Sequence, residues 1–269
     1  MTTYGFDHGW QGERDRMALA EFFLDPVTVR HLESIGVSEG WRCLEVGAGA
    51  GSVARWLTRR VGRFGRVLAT DIDTRFVEAL AAEDLSRHGS LEVRRHDIVA
   101  DEPLPAVFHL AHVRLVLQHL PGREEAVKRM AAAVEPGGWV LAEELDFASS
   151  TPALPHQGEA FRRVETAIHQ LLSATGFEPA CGRRLPGLLQ DAGLIDVECT
   201  GALSVVSGGS PIARWQGQTF EALRPRLVAS GLASNADVDQ AIGELADPGF
   251  SLMTPVLISA RGRRARSRS

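Results

Sequence analysis

The sequence predicts an α/β domain with a doubly wound, mostly parallel sheet, and three observations carry that prediction. A short apolar run at 42–46 closes in the glycine-rich turn Gly47-Ala48-Gly49-Ala50-Gly51. Residues 52–61 follow, with Val53, Trp56, Leu57 and Val61 at helical spacing. The same alternation of apolar run and helical stretch repeats as far as Asp146. Strands alternating with helices imply a parallel sheet covered on both faces.

Each element can be justified in turn. Upstream of the turn, 13–23 and 27–35 are rich in helix formers. A second strand at 66–70 ends in Asp71, and 75–88 reads as a helix with Phe76, Ala79 and Leu80 on one face. A third strand at 91–95 ends at His96-Asp97, a fourth spans 107–113, and a helix fills 123–134. Pro136-Gly137-Gly138 supplies a break before a fifth strand at 139–144. Past Asp146 the rhythm loosens. Helices are expected at 157–175, 185–192, 211–228 and 236–246, with strands at 198–207 and 250–260.

Composition narrows the function classes. The 269 residues are 44% hydrophobic and 23% charged, as in an ordinary globular chain. No window approaches the ~18 apolar residues of a membrane span. Three cysteines (Cys43, Cys181, Cys199) are too few and too scattered for a disulfide framework or a zinc site, so no metal is expected. The first residues lack a basic and then apolar leader, and a cytoplasmic setting is the simple expectation. The net charge of -5 is unevenly spread. Five arginines fall within 261–269, which leaves 24 basic against 34 acidic residues in 1–260. An acidic body is a poor partner for a phosphate backbone, so neither nucleic acid nor membrane is expected as a partner.

The glycine turn then poses the question of its ligand. In an open α/β sheet, ligands bind beyond the carboxyl ends of the strands. A dinucleotide fingerprint needs Gly-x-Gly-x-x-Gly, yet its third place falls on Ser52 here, and the pattern is Gly47-x-Gly49-x-Gly51. Glu45 stands two residues before Gly47. A carboxylate there would repel a pyrophosphate and favour an ammonium or sulfonium group. Asp71, at the second strand's end, is placed to accept hydrogen bonds from two ribose hydroxyls. Asp97 follows the third strand, where it can accept from an adenine amino group while Ile98 packs on the ring. A lone aspartate would read equally as a helix cap or a solvated loop acid. Three acids at three successive strand ends point to a nucleoside site.

These segments resemble the class I S-adenosylmethionine-dependent methyltransferases. Glu45-Val46-Gly47-Ala48-Gly49-Ala50-Gly51 is similar to their first motif, and Leu68-Ala69-Thr70-Asp71-Ile72-Asp73 to the second. His96-Asp97-Ile98, Phe108–Arg114 and Glu135-Pro136-Gly137-Gly138-Trp139 resemble the three that follow. Leu117-Gln118-His119-Leu120-Pro121 and Gly182-Arg183-Arg184-Leu185-Pro186 are similar to a bacterial small-molecule branch of that class.

The resemblance implies a Rossmann-like, seven-stranded sheet whose last strand is antiparallel, under a helical cap built by 147–190 and 208–247. It divides the chain into a helical lid (1–39), a cofactor-binding core (40–146) and cap helices with the last strands (147–260), while the low-complexity composition of the basic tail at 261–269 leads to an expectation of disorder there. It implies S-adenosyl-L-methionine as cofactor. The backbone of Gly47, Ala48, Gly49 and Gly51 would approach the methionine part, with Glu45 near its amino group. Asp71 would take the ribose hydroxyls, and Ile72, Asp97 and Ile98 would surround the adenine. Tyr4, Arg16 and Arg114 are further candidate contacts, with Arg16 a partner for the carboxylate. One departure stands out: the family's motif-four aspartate is replaced by His109, at the end of strand four away from the cleft.

Methyl transfer needs alignment, exclusion of water and sometimes removal of a proton. His112 and His119 are candidate general bases, against the alternatives of sheet packing and loop shaping. Glu143 and Glu144 face opposite sides of strand five, and Glu144 is the candidate to meet the acceptor, against a structural role. The expected reaction transfers a methyl group to the O, N or C of a small organic acceptor, by a monomer or homodimer. A non-methylating or regulatory cofactor-binding protein is the alternative, and an RNA or protein methyltransferase docked through the arginine tail is a third.

Overall fold

The computed structural model describes residues 12–81, 88–154 and 157–266. In chain order its elements are α1 (Glu13–Ile35), β1 (Arg42–Val46), α2 (Ser52–Val61), β2 (Arg66–Asp71), α3 (Glu78–Ala81), β3 (Ser90–Arg95) and β4 (Phe108–Arg114). Then come α4 (Arg123–Ala133), β5 (Val134–Asp146), β6 (Thr151–Pro152), α5 (Glu159–Ser173), α6 (Cys181–Asp191) and β7 (Leu194–Ala202). The chain closes with β8 (Val205–Ser207), α7 (Pro211–Ala229), α8 (Asn235–Ala246), β9 (Ser251–Met253) and β10 (Val256–Arg264).

The main sheet has seven strands in the order β3-β2-β1-β4-β5-β10-β7. The first five pair in parallel, while β10 runs antiparallel between β5 and β7. This is the expected doubly wound sheet with one reversed strand. Alternate residues of β1 serve opposite faces, as a strand's two-residue period requires. Leu44 and Val46 join α4 and α6 in one core, while Cys43 packs with Leu32 of α1 and with Leu57 and Val61 of α2 in another. A third core unites α5, α7 and α8 around Phe161, Phe220 and Leu245.

Several boundaries differ from the sequence reading. The two N-terminal stretches form one helix, α1, running through Pro26. Proline removes one backbone donor, which would otherwise reach Phe22, an exposed residue, while buried Leu24, Thr28 and Leu32 anchor the helix on both sides. Pro136-Gly137-Gly138 makes an irregularity within β5 instead of a break before it, with the register shifting between Phe108 and Leu110 of β4. A Cβ on Gly138 would lie 2.9 Å from the Glu135 carbonyl oxygen, so the tight backbone passage needs glycine.

Residues 198–207 split between β7 in the main sheet and β8 in a small three-stranded sheet, β6-β9-β8. Residues 250–260 split likewise into β9 and β10, so the cap is not purely helical. α6, expected in the cap, packs instead on the main sheet through Cys181, Leu185 and Leu189. The basic tail is also corrected: β10 continues to Arg264, with Arg261 opposite Leu141 and Arg263 opposite Trp139. Both guanidiniums lie over the Trp139 ring, 5.5 and 4.9 Å from its centre, and this anchors positions a charge count assigns to disorder.

Candidate functional site

A large cavity opens at the carboxyl ends of β1, β2, β3 and β4, where the topology predicts a ligand. Its floor is the turn after β1. Gly47 and Ala48 donate backbone N–H groups to the Thr70 carbonyl, tying the turn to β2. Gly47 has φ 68°, and a Cβ there would stand 2.2 Å from Val116 Cγ2, so no other residue fits without moving the wall. Ala48 and Gly49 line the cavity beside it. Gly51 does not: it caps α2 at φ 89°, and its Cα faces Leu80, 2.9 Å from where a Cβ would be. Its glycine serves helix packing, a correction to its place among the ligand contacts.

The three strand-end acids converge on this cavity. Glu45 lines it while almost fully buried. Asp71 Oδ2 accepts from Gly49 N–H at 2.9 Å and Oδ1 from Asp73 N–H at 3.0 Å, holding the carboxylate beside the glycine turn. Asp97 Oδ1 accepts from Val99 and Ala100 N–H, so it caps its own turn as well as lining the cavity. Ile72 and Ile98 flank these acids on the wall. Counting Glu21, Asp73 and Glu165, six carboxyl residues line the cavity against two arginines, Arg16 and Arg114. Arg16 is held by Glu13 at 2.7 Å, and Arg114 by Asp25 and Thr28 at 2.9 Å each. Tyr4 lies outside the described residues.

His112 and Glu144 require correction. Neither is on the cavity wall. His112 is fully buried, with Nδ1 2.7 Å from Glu45 Oε2 and Nε2 3.3 Å from Glu143 Oε2. Burial alone would lower its pKa, but the two carboxylates outweigh it and raise it to about 9. Both ring nitrogens are therefore committed, and the imidazolium orders Glu45 instead of receiving a proton from an acceptor. Burial pushes Glu143 up too, yet its bonds to His112 and Ser259 and the charge of Arg114 hold it low, at about 2. Thr28 of α1 and Ser259 of β10 donate to the same carboxylate. Glu45 and His112 are register partners, as are Arg114 and Glu143, and Glu143 and Ser259. A polar stripe thus crosses β1, β4, β5 and β10 under α1.

Glu144, on the other face, accepts N–H bonds from Val116 at 2.9 Å and Leu117 at 2.7 Å. It fixes the bend at Leu115, whose φ of 55° is unusual for a leucine. Burial outweighs those donors and raises its pKa to about 8. His119 does line the cavity, and burial together with the Arg16 charge lowers it to about 3, so its ring is neutral and only weakly basic.

The far end of the cavity is where sequence reading missed most. Phe147, Glu165, His169, Phe177, Trp215 and Phe220 all line it. Trp215 and Phe220 fall in a stretch expected from sequence only as a helix, 211–228. The one usable signal was the spacing of Glu165 and His169, which puts both on one face of α5. Four residues of the wall carry buried polar atoms without a partner among the described residues: His96 Nε2, Gln118 Oε1, Trp215 Nε1 and Gln216 Oε1. Unpaired buried polar atoms are costly, and a cavity ringed by them suits a polar ligand.

Comparison with known proteins now bears on this geometry. Residues 44–140 match a family model described as a methyltransferase domain. The segment that frames the cavity thus carries a methyltransferase-domain signature. It is 30% identical over 164 residues to methyltransferase str2 of Strobilurus tenacellus, covering 59% of this chain and 55% of that one. It is 31% identical over 163 residues to the ubiquinone/menaquinone biosynthesis C-methyltransferase UbiE of Laribacter hongkongensis, covering 55% and 65%. The chain thus spans between half and two thirds of the length of these curated relatives. A phosphoethanolamine N-methyltransferase of Haemonchus contortus, solved with phosphomonomethylethanolamine and S-adenosylhomocysteine, shares the fold at a TM-score of 0.50. That match has 17% identity and covers 96% of this chain and 53% of the other. The matched segment runs from β1 into β5, so the methyltransferase domain's signature coincides with the strands that frame the acidic end of the cavity.

Proposed function

We propose that this protein transfers a methyl group from S-adenosylmethionine to the O, N or C of a small organic acceptor. The observation that carries the reading is the ring of carboxylates around a glycine turn at the strand ends, which suits a cationic, hydroxyl-bearing nucleoside. When bound, the cofactor supplies an electrophilic methyl group on a leaving group that needs no further activation. The chain's own residues then bind, orient and exclude water.

In this reading the Gly47–Gly49 backbone admits the methionine part, and Glu45, oriented by His112, takes its amino group. Asp71 accepts from the ribose hydroxyls, and Asp97 with Ile72 and Ile98 holds the adenine. Arg16 and Arg114 complement the carboxylate of the cofactor. The acidic body supports a small-molecule acceptor over nucleic acid, with the enzyme working as a monomer or homodimer. No described helix is long and apolar enough to cross a membrane.

Titration calorimetry with S-adenosylmethionine tests the assignment. Asp71→Ala should weaken binding by about 1–3 kcal/mol, the scale of lost charge-assisted hydrogen bonds. Unchanged affinity would remove the ribose role, and absence of binding by the unmodified protein would remove the reading.

A further inference from the structure

Beyond the acids that suit the cofactor, the cavity has a second, chemically distinct end. Phe147, His169 and Phe177 form a wall of touching rings, with centres 5.1 Å apart for Phe147 and His169 and 6.0 Å for Phe177 with each. Glu165 stands one helical turn before His169 on α5 and lines the same space. Ser150 donates to its Oε1 at 2.6 Å, which fixes the carboxyl through one oxygen. We propose, resting on the methyltransferase reading, that Glu165 is the catalytic base, and that the acceptor is a flat aromatic or conjugated molecule methylated on a hydroxyl group.

The argument begins with charge. At this end of the cavity Glu165 is the one carboxyl group among the described lining residues, since Glu21, Glu45, Asp71, Asp73 and Asp97 belong to α1 and the strand ends. One carboxylate balances one positive charge, and the sulfonium already brings it. An ammonium acceptor would add a second cation at this end, where Glu165 is the one carboxyl group among the described lining residues to face both charges. A neutral hydroxyl compound leaves the balance even. Its oxygen forms a bond to the methyl carbon as the carbon–sulfur bond breaks toward sulfur. Its proton passes to Glu165, so sulfonium and carboxylate become thioether and carboxylic acid. The near-parallel rings of His169 and Phe177, at 27°, with Phe147 tilted against both, offer faces and an edge to an aromatic acceptor.

Protonation fits that role. Burial outweighs the Ser150 hydrogen bond and raises Glu165 to about 7, near the working pH of an effective base. Its ionisable neighbours do not compete. Burial lowers His169 to about 4, so its ring is neutral. His119 is also neutral, and Arg16 lies toward the cofactor on α1. On the opposite face of α5, Glu244 of α8 accepts from the N–H groups of Ala160 and Phe161, and Asp237 pairs with Arg163.

The test compares the full chain with Glu165→Gln, which keeps an oxygen for Ser150. Catechol, hydroquinone and 4-methylumbelliferone serve as hydroxyl probes, benzylamine and ethanolamine as amine probes, with S-adenosylmethionine affinity measured alongside. The unmodified protein should methylate hydroxyl probes, with kcat/KM rising with pH to a plateau above about 7. Glu165→Gln should lose about a hundredfold or more in kcat, keep its cofactor affinity, and lose that pH limb. Cofactor binding with methylation of amines only, or of no hydroxyl probe, overturns the proposal and leaves the methyltransferase reading standing. So does a variant within about threefold of the original kcat, or a pH profile without the rising limb. Failure of the unmodified protein to bind the cofactor overturns both.

Discussion

The two ends of the cavity are made in different ways. At the cofactor end, strand termini and one glycine turn set backbone amides and carboxylates in place, with Asp71 bonded to Gly49 N–H and Glu45 bonded to His112. At the acceptor end, helices bring side chains together, and one carboxyl is held by one hydroxyl beside packed rings. Hydrogen-bonded backbone fixes charge to within a fraction of an ångström. Packed side chains fix a shape that substitution can remodel. The first end is therefore suited to a constant ligand and the second to a ligand that varies among related sequences.

The largest effect should come from the polar stripe behind the cofactor end. His112→Ala leaves Glu45 and Glu143 buried without their shared cation, and should cost about 3–5 kcal/mol in urea-unfolding free energy. It should also weaken cofactor binding, because Glu45 loses its orientation. The pH dependence has a definite sign. His112 is raised above its ordinary 6.5, so its stabilisation is complete below that value and lost as pH climbs through about 9. Glu143 is held low, so its share is present above its ordinary 4.5 and lost as pH falls toward about 2. Unfolding measured across pH 6.5 to 9 should decline more steeply for the unmodified protein than for the variant, which keeps only the decline from the raised carboxyls Glu165 and Glu144 up to about 7 and about 8. A variant with unchanged stability would break the contrast between the two ends.

A middle-sized effect belongs to the turn itself. Gly47→Ala forces a left-handed backbone on alanine, about 1–2 kcal/mol, and displaces Val116, which lines the cavity. Calorimetry should show weaker cofactor binding than the stability loss alone explains. The smallest effect sharpens the contrast from the cap side. Arg163 pairs with Asp237 and Glu159 on the outer face of α5, and Arg163→Ala should cost less than about 1 kcal/mol. Cofactor affinity should be unchanged, which a displaced cavity wall would contradict.

The cofactor end was readable from sequence because its signals are local. Glu45, Gly47, Gly49, Asp71 and Asp97 sit at strand ends, and a strand end shows in sequence as an apolar run stopping at glycine or an acid. Gly51 misled because helix packing and ligand approach both demand glycine. His112 misled because a histidine near a cleft looks the same whether its nitrogens face ligand or carboxylates. Glu144 misled because alternation along β5 assigns it a face without saying what covers that face. The acceptor end was unreadable since Phe147 and Phe177 lie in connecting segments, Glu165 on α5 and Trp215 on α7, with no spacing in common.

By itself, then, the sequence determined the sheet, its reversed strand through family resemblance, and the acids that ring the glycine turn. Period and turn chemistry are properties of neighbouring residues, and they survive without a tertiary context. Only the tertiary structure decided that His112 joins Glu45 to Glu143, that Arg261 and Arg263 extend a strand over Trp139, and that Glu165 meets a wall of rings. Each depends on residues far apart in the chain meeting across strands or helices, and contact between distant residues leaves no periodic mark in a single sequence.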